Sequence, residues 1–299
     1  METIYTRIAL QNKIQQLKQQ NTVIGFVPTM GFLHDGHLSL IDEARKICDV
    51  VIVSIFVNPL QFGPNEDFNN YPRALERDLK LCTNRGVDLV FAPPAEELIA
   101  QETLVVLNVS QLGTNLCGKS RPNHFQGVCA IVNKLFNLVQ PNYAFFGQKD
   151  IQQFKIIERM VNDLFIPVKL KMVKTVRNSD GLALSSRNKY LSVEQRQHAL
   201  IVPQVIAFIV SQIVKLRESQ SQLTQEQQEI LLGQVKDMVA KIPDSRVDYM
   251  EIVSSNNLQY TEDIKQELII AAAIFIGSTR LIDNHILSAK SCEDTFIGK

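Results

Sequence analysis

The stretch PTMGFLHDGH, residues 28–37, sets His34 and His37 three apart behind an apolar run, with Gly31 and Gly36 beside them. Imidazoles so placed can do three things. They can flank an anion at a helix start, where backbone N–H groups already converge. They can ligate zinc, although no further His or Cys lies near enough in sequence to complete a set. They can also simply finish a turn. Spacing alone leaves all three open.

Four more stretches carry residues suited to chemistry. FVNPLQFGPNEDFNNYPR (56–73) offers Asn58, Gln61 and Tyr71 beside apolar Phe56 and Phe62, which suits a small, hydroxylated, partly apolar ligand or a plain turn-rich loop. RPNHFQGV (121–128) puts Arg121 and His124 just ahead of a helix. FFGQKDIQQ (145–153) ends a strand at Gly147 and sets Lys149 and Asp150 at the next helix start, with Gln153 one turn in. A lysine there opposes the helix dipole unless an anion is present, which points to function. TVRNSDGLALSSRN (175–188) carries Ser185, Ser186 and Arg187 after a glycine turn, as a mobile loop over a triphosphate or as a linker.

Residues 113–120 read GTNLCGKS, a literal G-x-x-x-x-G-K-S. A phosphate-binding loop of that kind follows a strand at once and opens a helix at its Gly-Lys pair. Here SQL separates it from the apolar run TLVVLNV, taken as a strand, and Pro122 and Asn123 intervene before helical periodicity resumes near Gly127. We read it as an irregular surface loop.

Apolar runs at 22–29, 49–57, 88–93 and 143–147 read as strands, and 36–48, 72–86, 127–139 and 150–164 as amphipathic helices. Strands without polar alternation, separated by helices, imply an α/β fold: a Rossmann-like doubly wound parallel sheet with its site at the strands' carboxyl ends. The character changes near residue 176. SVEQ (192–195) and TQEQ (224–227) fit capping boxes, and a Gln-rich stretch between two helices reads as a solvated connection. RVDYMEIVSS (246–255) and LIIAAAIFIGSTRLIDN (268–284) read as strands. The expected organisation is a Rossmann-like domain over 1–175 and a smaller α+β C-terminal domain over 176–299, ending in a loose tail.

The 299 residues are 45% hydrophobic and 21% charged, and 31 basic residues balance 31 acidic ones, so no bulk affinity for nucleic acid is expected. The N-terminal METIYTRIALQNKIQQLKQQ has no apolar core of a secretory signal, and the apolar runs are too short to span a bilayer. Five scattered cysteines without a C-x-x-C pair suit reduced thiols in the cytoplasm.

Taken together, PTMGFLHDGH, SIFVNPLQFGPNEDFNNYPR, RPNHFQGV, FGQKD, SSRN and GSTRLIDN, in this order, make residues 1–284 resemble the pantothenate synthetases (pantoate–β-alanine ligases). That family lies within the HIGH-motif nucleotidyltransferases, and SSRN resembles their KMSKS loop. The resemblance implies a cytoplasmic, ATP-dependent ligase of pantothenate biosynthesis. Pantoate would attack the α-phosphorus of Mg-ATP, giving pantoyl adenylate and pyrophosphate, and the β-alanine amine would then release AMP.

The resemblance also implies roles. His34, His37, Lys149 and Arg187 would be catalytic, holding phosphates and developing charge together with Ser185 and Ser186. Gly147 and Asp150 would hold the ribose, with Met30, Gln148 and Val176 also at the nucleotide. Gln61 and Gln153 would bind pantoate near Met30, and Asn58, Tyr71, Arg121 and His124 would complete that pocket. The partners implied are pantoate, β-alanine and ATP, with no nucleic acid or membrane, and a second copy in a homodimer. Two departures stand out. Gln148 replaces a frequent Glu. The acidic cluster associated with magnesium is thinned to ALERD, leaving Asp78 as its candidate Mg2+ ligand.

Overall fold

The computed structural model describes residues 1–64, 66–99 and 104–289. The chain forms two units: Met1–Val109 with Arg121–Val176, and Ser110–Ser120 with the chain from Arg177 onward. The change of character near residue 176 thus falls at a boundary between units. The segment Ser110–Ser120 belongs with the second unit although it precedes that boundary in sequence.

The first unit runs β1 (Glu2–Ile4), α1 (Arg7–Gln19), β2 (Ile24–Thr29), α2 (Asp35–Ile47), β3 (Val50–Ile55), α3 (Leu75–Asn84), β4 (Leu89–Phe91), α4 (Ala95–Leu98), then, after α5 (Cys117–Ser120) of the other unit, α6 (His124–Val139), β5 (Tyr143–Gly147), α7 (Ile151–Asp163) and β6 (Lys169–Val173). Its six strands are all parallel, in the order β1-β4-β3-β2-β5-β6. From β2 the chain steps outward through β3 and β4, then returns through α6 to lay β5 on the other side of β2. The order therefore reverses between β2 and β5, and a ligand crevice belongs at their carboxyl ends.

Side chains alternate across each strand, which explains why both faces are covered. Val27 and Phe145 join Leu38, Ile41 and Ala44 of α2 and Cys82 of α3 in one core. Phe26 and Phe146, one position along, meet Phe136 of α6 edge-on at 6.5 and 6.3 Å between centroids. Phe26, Val27 and Phe145 are no more than 1% exposed, and each such burial contributes about 1.5–3 kcal/mol.

Several expectations are corrected. The run TLVVLNV is not a strand. Its described part, 104–109, pairs with nothing in the sheet, and Leu104, Val105 and Val106 are 82%, 85% and 72% exposed. The helix read over 72–86 starts at Leu75, and the one read over 127–139 starts at His124. Helix α1 and strands β1 and β6 carry no strong apolar signal. Strand β6 is a sheet edge rich in lysine, which blunts pairing with other chains. Lys169 and Lys171 each lie 5.7 Å from the Tyr143 ring centroid.

The second unit adds α8 (Val193–His198), α9 (Ile201–Ser219), α10 (Gln225–Ala240), β7 (Ser245–Ser254), β8 (Leu268–Ile276) and β9 (Thr279–Leu287). The three strands form an antiparallel sheet, β7-β8-β9. The apolar run 268–284 is thus two strands rather than one, because the chain reverses at Gly277, whose φ of +56° suits glycine. Both capping boxes form, at Ser192 with Gln195 and Thr224 with Gln227. The Gln-rich connection is pinned rather than merely solvated: Leu223 is fully buried and its N–H donates to Glu262 O at 2.7 Å.

The stretch Val193–Ser219 is long and apolar enough to cross a membrane by length and composition. Its residues Val202, Val205, Ile206, Ile209 and Ile213 are at most 1% exposed in the unit's core. Arg177 and Asp283 of the GSTRLIDN motif form a two-pronged ion pair at 2.5 and 2.8 Å. The expected loose tail falls, from residue 290 with Cys292, outside the described residues. The other four cysteines are free and buried, and burial pushes the Cys82 and Cys129 thiols up to about 12.

Candidate active site

Strand β2 ends at Thr29, and the chain turns through Gly31 and Phe32, both left-handed at φ +77° and +50°. His34 is the N-cap of α2. Gly36 N–H donates to His34 Nδ1 at 3.1 Å, and His34 N–H donates to His37 Nδ1 at 3.3 Å. The rings lie 4.0 Å apart. The histidines therefore do finish a turn, but only with their Nδ1 atoms. An Nδ1 that accepts has no proton, so each neutral ring carries its proton on Nε2 and is a donor there. Burial, with Lys149 nearby, lowers the His34 pKa to about 4, and burial also holds His37 well below its ordinary range. Among the described residues no group of three His, Cys, Asp or Glu is placed to hold a metal.

Lys149 comes from the end of β5, on the strand hydrogen-bonded beside β2, and its charge is felt by both histidines. It lies in the single turn Gln148–Asp150 that leads into α7 from Gly147. Sequence places it 112 residues from His37; the sheet order removes that distance. Asp150 acts on both His34 and His124, so the two histidine groups share one neighbourhood. Gln153 sits half-buried on the first turn of α7. A Cβ on Gly147 would meet nothing within 4 Å.

The loop after β3 brings in the uncharged groups. Gln61 Nε2 donates to Met30 Sδ at 3.2 Å, and Asn58 Nδ2 donates to Gln61 Oε1 at 3.0 Å. Asn58, expected among the pantoate ligands, is 1% exposed, and its amide also donates to Gly127 O and accepts from Leu60 N. Its amide in this structure aims Gln61 and ties the loop to α6. Tyr71 is buried, its ring 5.8 Å from that of Phe62, which in turn meets Phe68 at 5.3 Å.

Arg121 and His124 close the loop from the start of α6. His124 Nδ1–H donates to Gln61 O at 2.7 Å, and Arg121 Nη1 donates to His124 Nε2 at 3.2 Å. Arg121 Nε donates to Glu66 Oε1 at 2.7 Å, and its Nη2 to Glu66 Oε2 and Gln61 O. Burial, aided by Arg121, lowers the His124 pKa to about 4, and the Arg121 contact holds the Glu66 carboxyl below its usual range against the cost of burial. Sequence reasoning missed Glu66. No spacing rule links residues 55 apart, so only the fold reveals it.

Asp78, the expected magnesium ligand, has another task. It is fully buried, its Oδ2 accepts from Phe32 N at 2.7 Å, and its Oδ1 accepts from Leu33 N at 2.8 Å. A carboxylate so engaged does not fit a metal site. Ser185, Ser186 and Arg187 belong to the second unit, where Ser185 Oγ accepts from Arg187 N at 3.2 Å and Ser186 is buried. Val176 is the last residue of the first unit. Lys119, of the Walker-like stretch, also lies in the second unit, on the one-turn α5. There Ser120 Oγ donates to Asp248 at 2.9 Å, and Leu116 N donates to Glu251 at 3.3 Å. Among the described residues before it, 104–112, there is no strand, and the stretch is a strap on β7 of the three-stranded sheet.

One pH dependence follows. His34 and His124 each have a pKa near 4 in the folded protein against an ordinary 6.5. Below about pH 6.5 the unfolded chain takes up protons that the folded protein refuses, so stability present above 6.5 is lost as pH falls towards 4. Melting temperature is expected to fall steadily from pH 7 to pH 5. NMR titration should find both imidazoles still neutral at pH 5. Protonation of either near 6.5 would refute the assigned hydrogen bonds.

Comparison with known proteins identifies the family. The family model described as pantoate-beta-alanine ligase matches residues 2–286. The pantothenate synthetase of Moorella thermoacetica is 47% identical over 287 residues, covering 96% of this chain and 99% of that protein. That of Carboxydothermus hydrogenoformans is 50% identical over 280 residues, covering 93% and 96%. The crystal structure of pantothenate synthetase from Thermus thermophilus superposes with a TM-score of 0.85 at 39% identity, covering 97% of this chain and all of that one. A pantoate-beta-alanine ligase from Francisella tularensis, complexed with beta-gamma ATP and beta-alanine, superposes with a TM-score of 0.76 at 32% identity, covering 96% and 97%. With nearly its whole length matched in sequence and in fold, the chain belongs to the pantoate–β-alanine ligase family.

Proposed function

We propose that this protein joins pantoate to β-alanine at the expense of ATP, through pantoyl adenylate, releasing pyrophosphate and then AMP. The observation that carries the reading is the meeting of His34, His37 and Lys149 at the β2/β5 crevice, beside the uncharged Gln61–Met30 pair. One group suits a polyphosphate; the other suits a small hydroxy acid. The Francisella relative, complexed with beta-gamma ATP and beta-alanine, supports the same substrates here.

The chemistry needs no protein nucleophile. The pantoate carboxylate oxygen attacks the α-phosphorus, a P–O bond forms, and pyrophosphate leaves. The protein's task is to align the two reactants and to stabilise negative charge as it spreads over the phosphates. Lys149 supplies full positive charge, and the Nε2–H donors of His34 and His37 supply directed hydrogen bonds without charge. Gln61 and Gln153 orient pantoate, with Tyr71, Arg121 and His124 shaping its pocket. In the second step the β-alanine amine attacks the acyl carbon and AMP leaves. The family resemblance gives the SSRN loop residues Ser185, Ser186 and Arg187 the task of binding the phosphates and shielding the mixed anhydride from water. ATP would enter as its magnesium complex, the metal arriving with the nucleotide, while Asp78 is engaged by two backbone N–H groups.

The active protein is a cytoplasmic homodimer. The exposed apolar run Leu104–Val106 supports self-association, because large exposed apolar patches favour burial against a partner.

The test is an AMP-release assay omitting each substrate in turn, with pyrophosphate exchange measured in parallel. AMP should appear at full rate only with all three substrates, and pantoate alone should support exchange. Exchange supported by an amino acid or a cytidylyl acceptor, with pantoate inert, would overturn the reading. Gly147 gives a sharper check. Its backbone is not left-handed and a Cβ there would meet nothing within 4 Å, so the cost of adding one should fall on the bound nucleotide rather than on the fold. Gly147→Ala should keep the wild-type melting temperature and raise the KM for ATP about tenfold or more, the cost of ~1.4 kcal/mol in binding.

A further inference from the structure

We infer that Asp78 is a positioning residue of the adenylation step: its buried carboxylate holds the turn that aims His34 and His37, without touching substrate. The turn is an unusual one. Gly31 and Phe32 are both left-handed, and for Phe32 that conformation is costly. A turn can point neighbouring backbone N–H groups into one concavity that suits an anion, and here the N–H groups of Phe32 and Leu33 converge in that way. Here the concavity is filled from within. Asp78 Oδ2 takes Phe32 N–H at 2.7 Å and Oδ1 takes Leu33 N–H at 2.8 Å, while the side chain is 1% exposed.

Three neighbours restrict this arrangement further. A Cβ on Gly31 would stand 3.1 Å from Asp78 Oδ2 and 2.9 Å from Ile55, so the carboxylate lies directly against the turn. Thr29 Oγ1 accepts from Gly31 N at 3.1 Å and donates to Ser54 O at 2.8 Å, fixing the turn to β3. Arg77 lies over the Phe32 ring at 5.2 Å, next to Asp78 on α3. The next residue after Leu33 is His34, whose backbone N–H and Nδ1 set both imidazoles. The path from Asp78 to the two Nε2–H donors is therefore two backbone amides and one helix cap.

This deepens the proposed function and rests on it. Pantoate-dependent pyrophosphate exchange by the wild type tests that function; the variants test this inference. Asp78→Asn keeps the volume but turns a donor towards one backbone N–H, so one of the two bonds is lost. A misplacement on the order of 1 Å of catalytic groups can cost about 100-fold in rate. We expect kcat for exchange to fall about 30–100-fold, with the KM for pantoate changed less than about threefold, because the Gln61 pocket is anchored separately through Asn58 and Arg121. The nitrogen-15 signals of His34 and His37 should show the Nε2–H tautomer in the wild type and a tautomer mixture in the variant, which a merely destabilising change would not produce.

Should the variant fail to fold, Asp78→Asn with Phe32→Gly removes the cost of the left-handed residue and restores folding without restoring the anchor. A folded variant, single or double, with wild-type kcat and tautomers overturns the proposal. So does a defect fully rescued by raised magnesium, which would return Asp78 to a metal role.

Discussion

Lys149→Ala should lower the rate of pantoyl adenylate formation about 10²–10³-fold while the protein keeps its fold, a loss of roughly 2.7–4 kcal/mol of transition-state stabilisation. The size follows from the division of labour in the crevice. His34 and His37 are neutral there, because burial and their capped Nδ1 atoms disfavour protonation. Lys149 supplies the charge that these two neutral donors do not. Removing it also changes the histidines. Its charge lowers both pKa values, so in the variant both should rise, and the acid limb of the pH–rate profile should move to higher pH. Lys149→Met separates length from charge and should behave like Lys149→Ala. Single-turnover measurement of pyrophosphate release checks the rate. An unchanged burst would remove Lys149 from the phosphate site.

Gly127→Ala should damage both stability and pantoate binding. Helix α6 meets the loop after β3 through this glycine with no room to spare. A Cβ there would lie 2.1 Å from Leu60 O, 2.3 Å from Leu60 C and 2.7 Å from Gln61 N. These are backbone atoms, so no side chain can rotate away. The helix and loop must separate, and the Asn58 bond to Gly127 O lengthens with them. Overpacking of this kind costs about 1–3 kcal/mol. Gln61 rides on the displaced segment, so the KM for pantoate should rise by an order of magnitude or more, at about 1.4 kcal/mol per tenfold. The KM for ATP should change much less, because the β2 and β5 ends do not touch this contact. Urea unfolding and steady-state kinetics on the same preparation check both parts. A variant with wild-type stability and pantoate KM would mean that α6 and the loop are not in this contact.

Much of the molecule was legible in residue order. Apolar runs without alternation marked β2, β3, β4 and β5, because strands buried on both faces need no polar side. Ser192–Gln195 and Thr224–Gln227 announced two helix starts through local hydrogen bonds that both formed. The Walker-like GTNLCGKS was read apart from a phosphate loop partly through a strand at TLVVLNV that did not form; it ends in the one-turn α5, as a strap in the second unit rather than an irregular loop. The run 104–109 misled because β-branched residues without a partner strand look like those with one. The run 268–284 misled in the opposite way, since a tight reversal at Gly277 scarcely interrupts an apolar pattern.

By itself, the sequence determined which chemical groups this protein has, the local turns and caps that present them, and, through six ordered motifs, the family to which it belongs. Those are properties of short stretches, and short stretches carry their own signals. Only the tertiary structure decided that His34 and Lys149 share one crevice, that Glu66 holds Arg121, and that Asp78 anchors a turn. Each of these joins residues 46 to 115 positions apart, through strand order and burial, which no local pattern encodes.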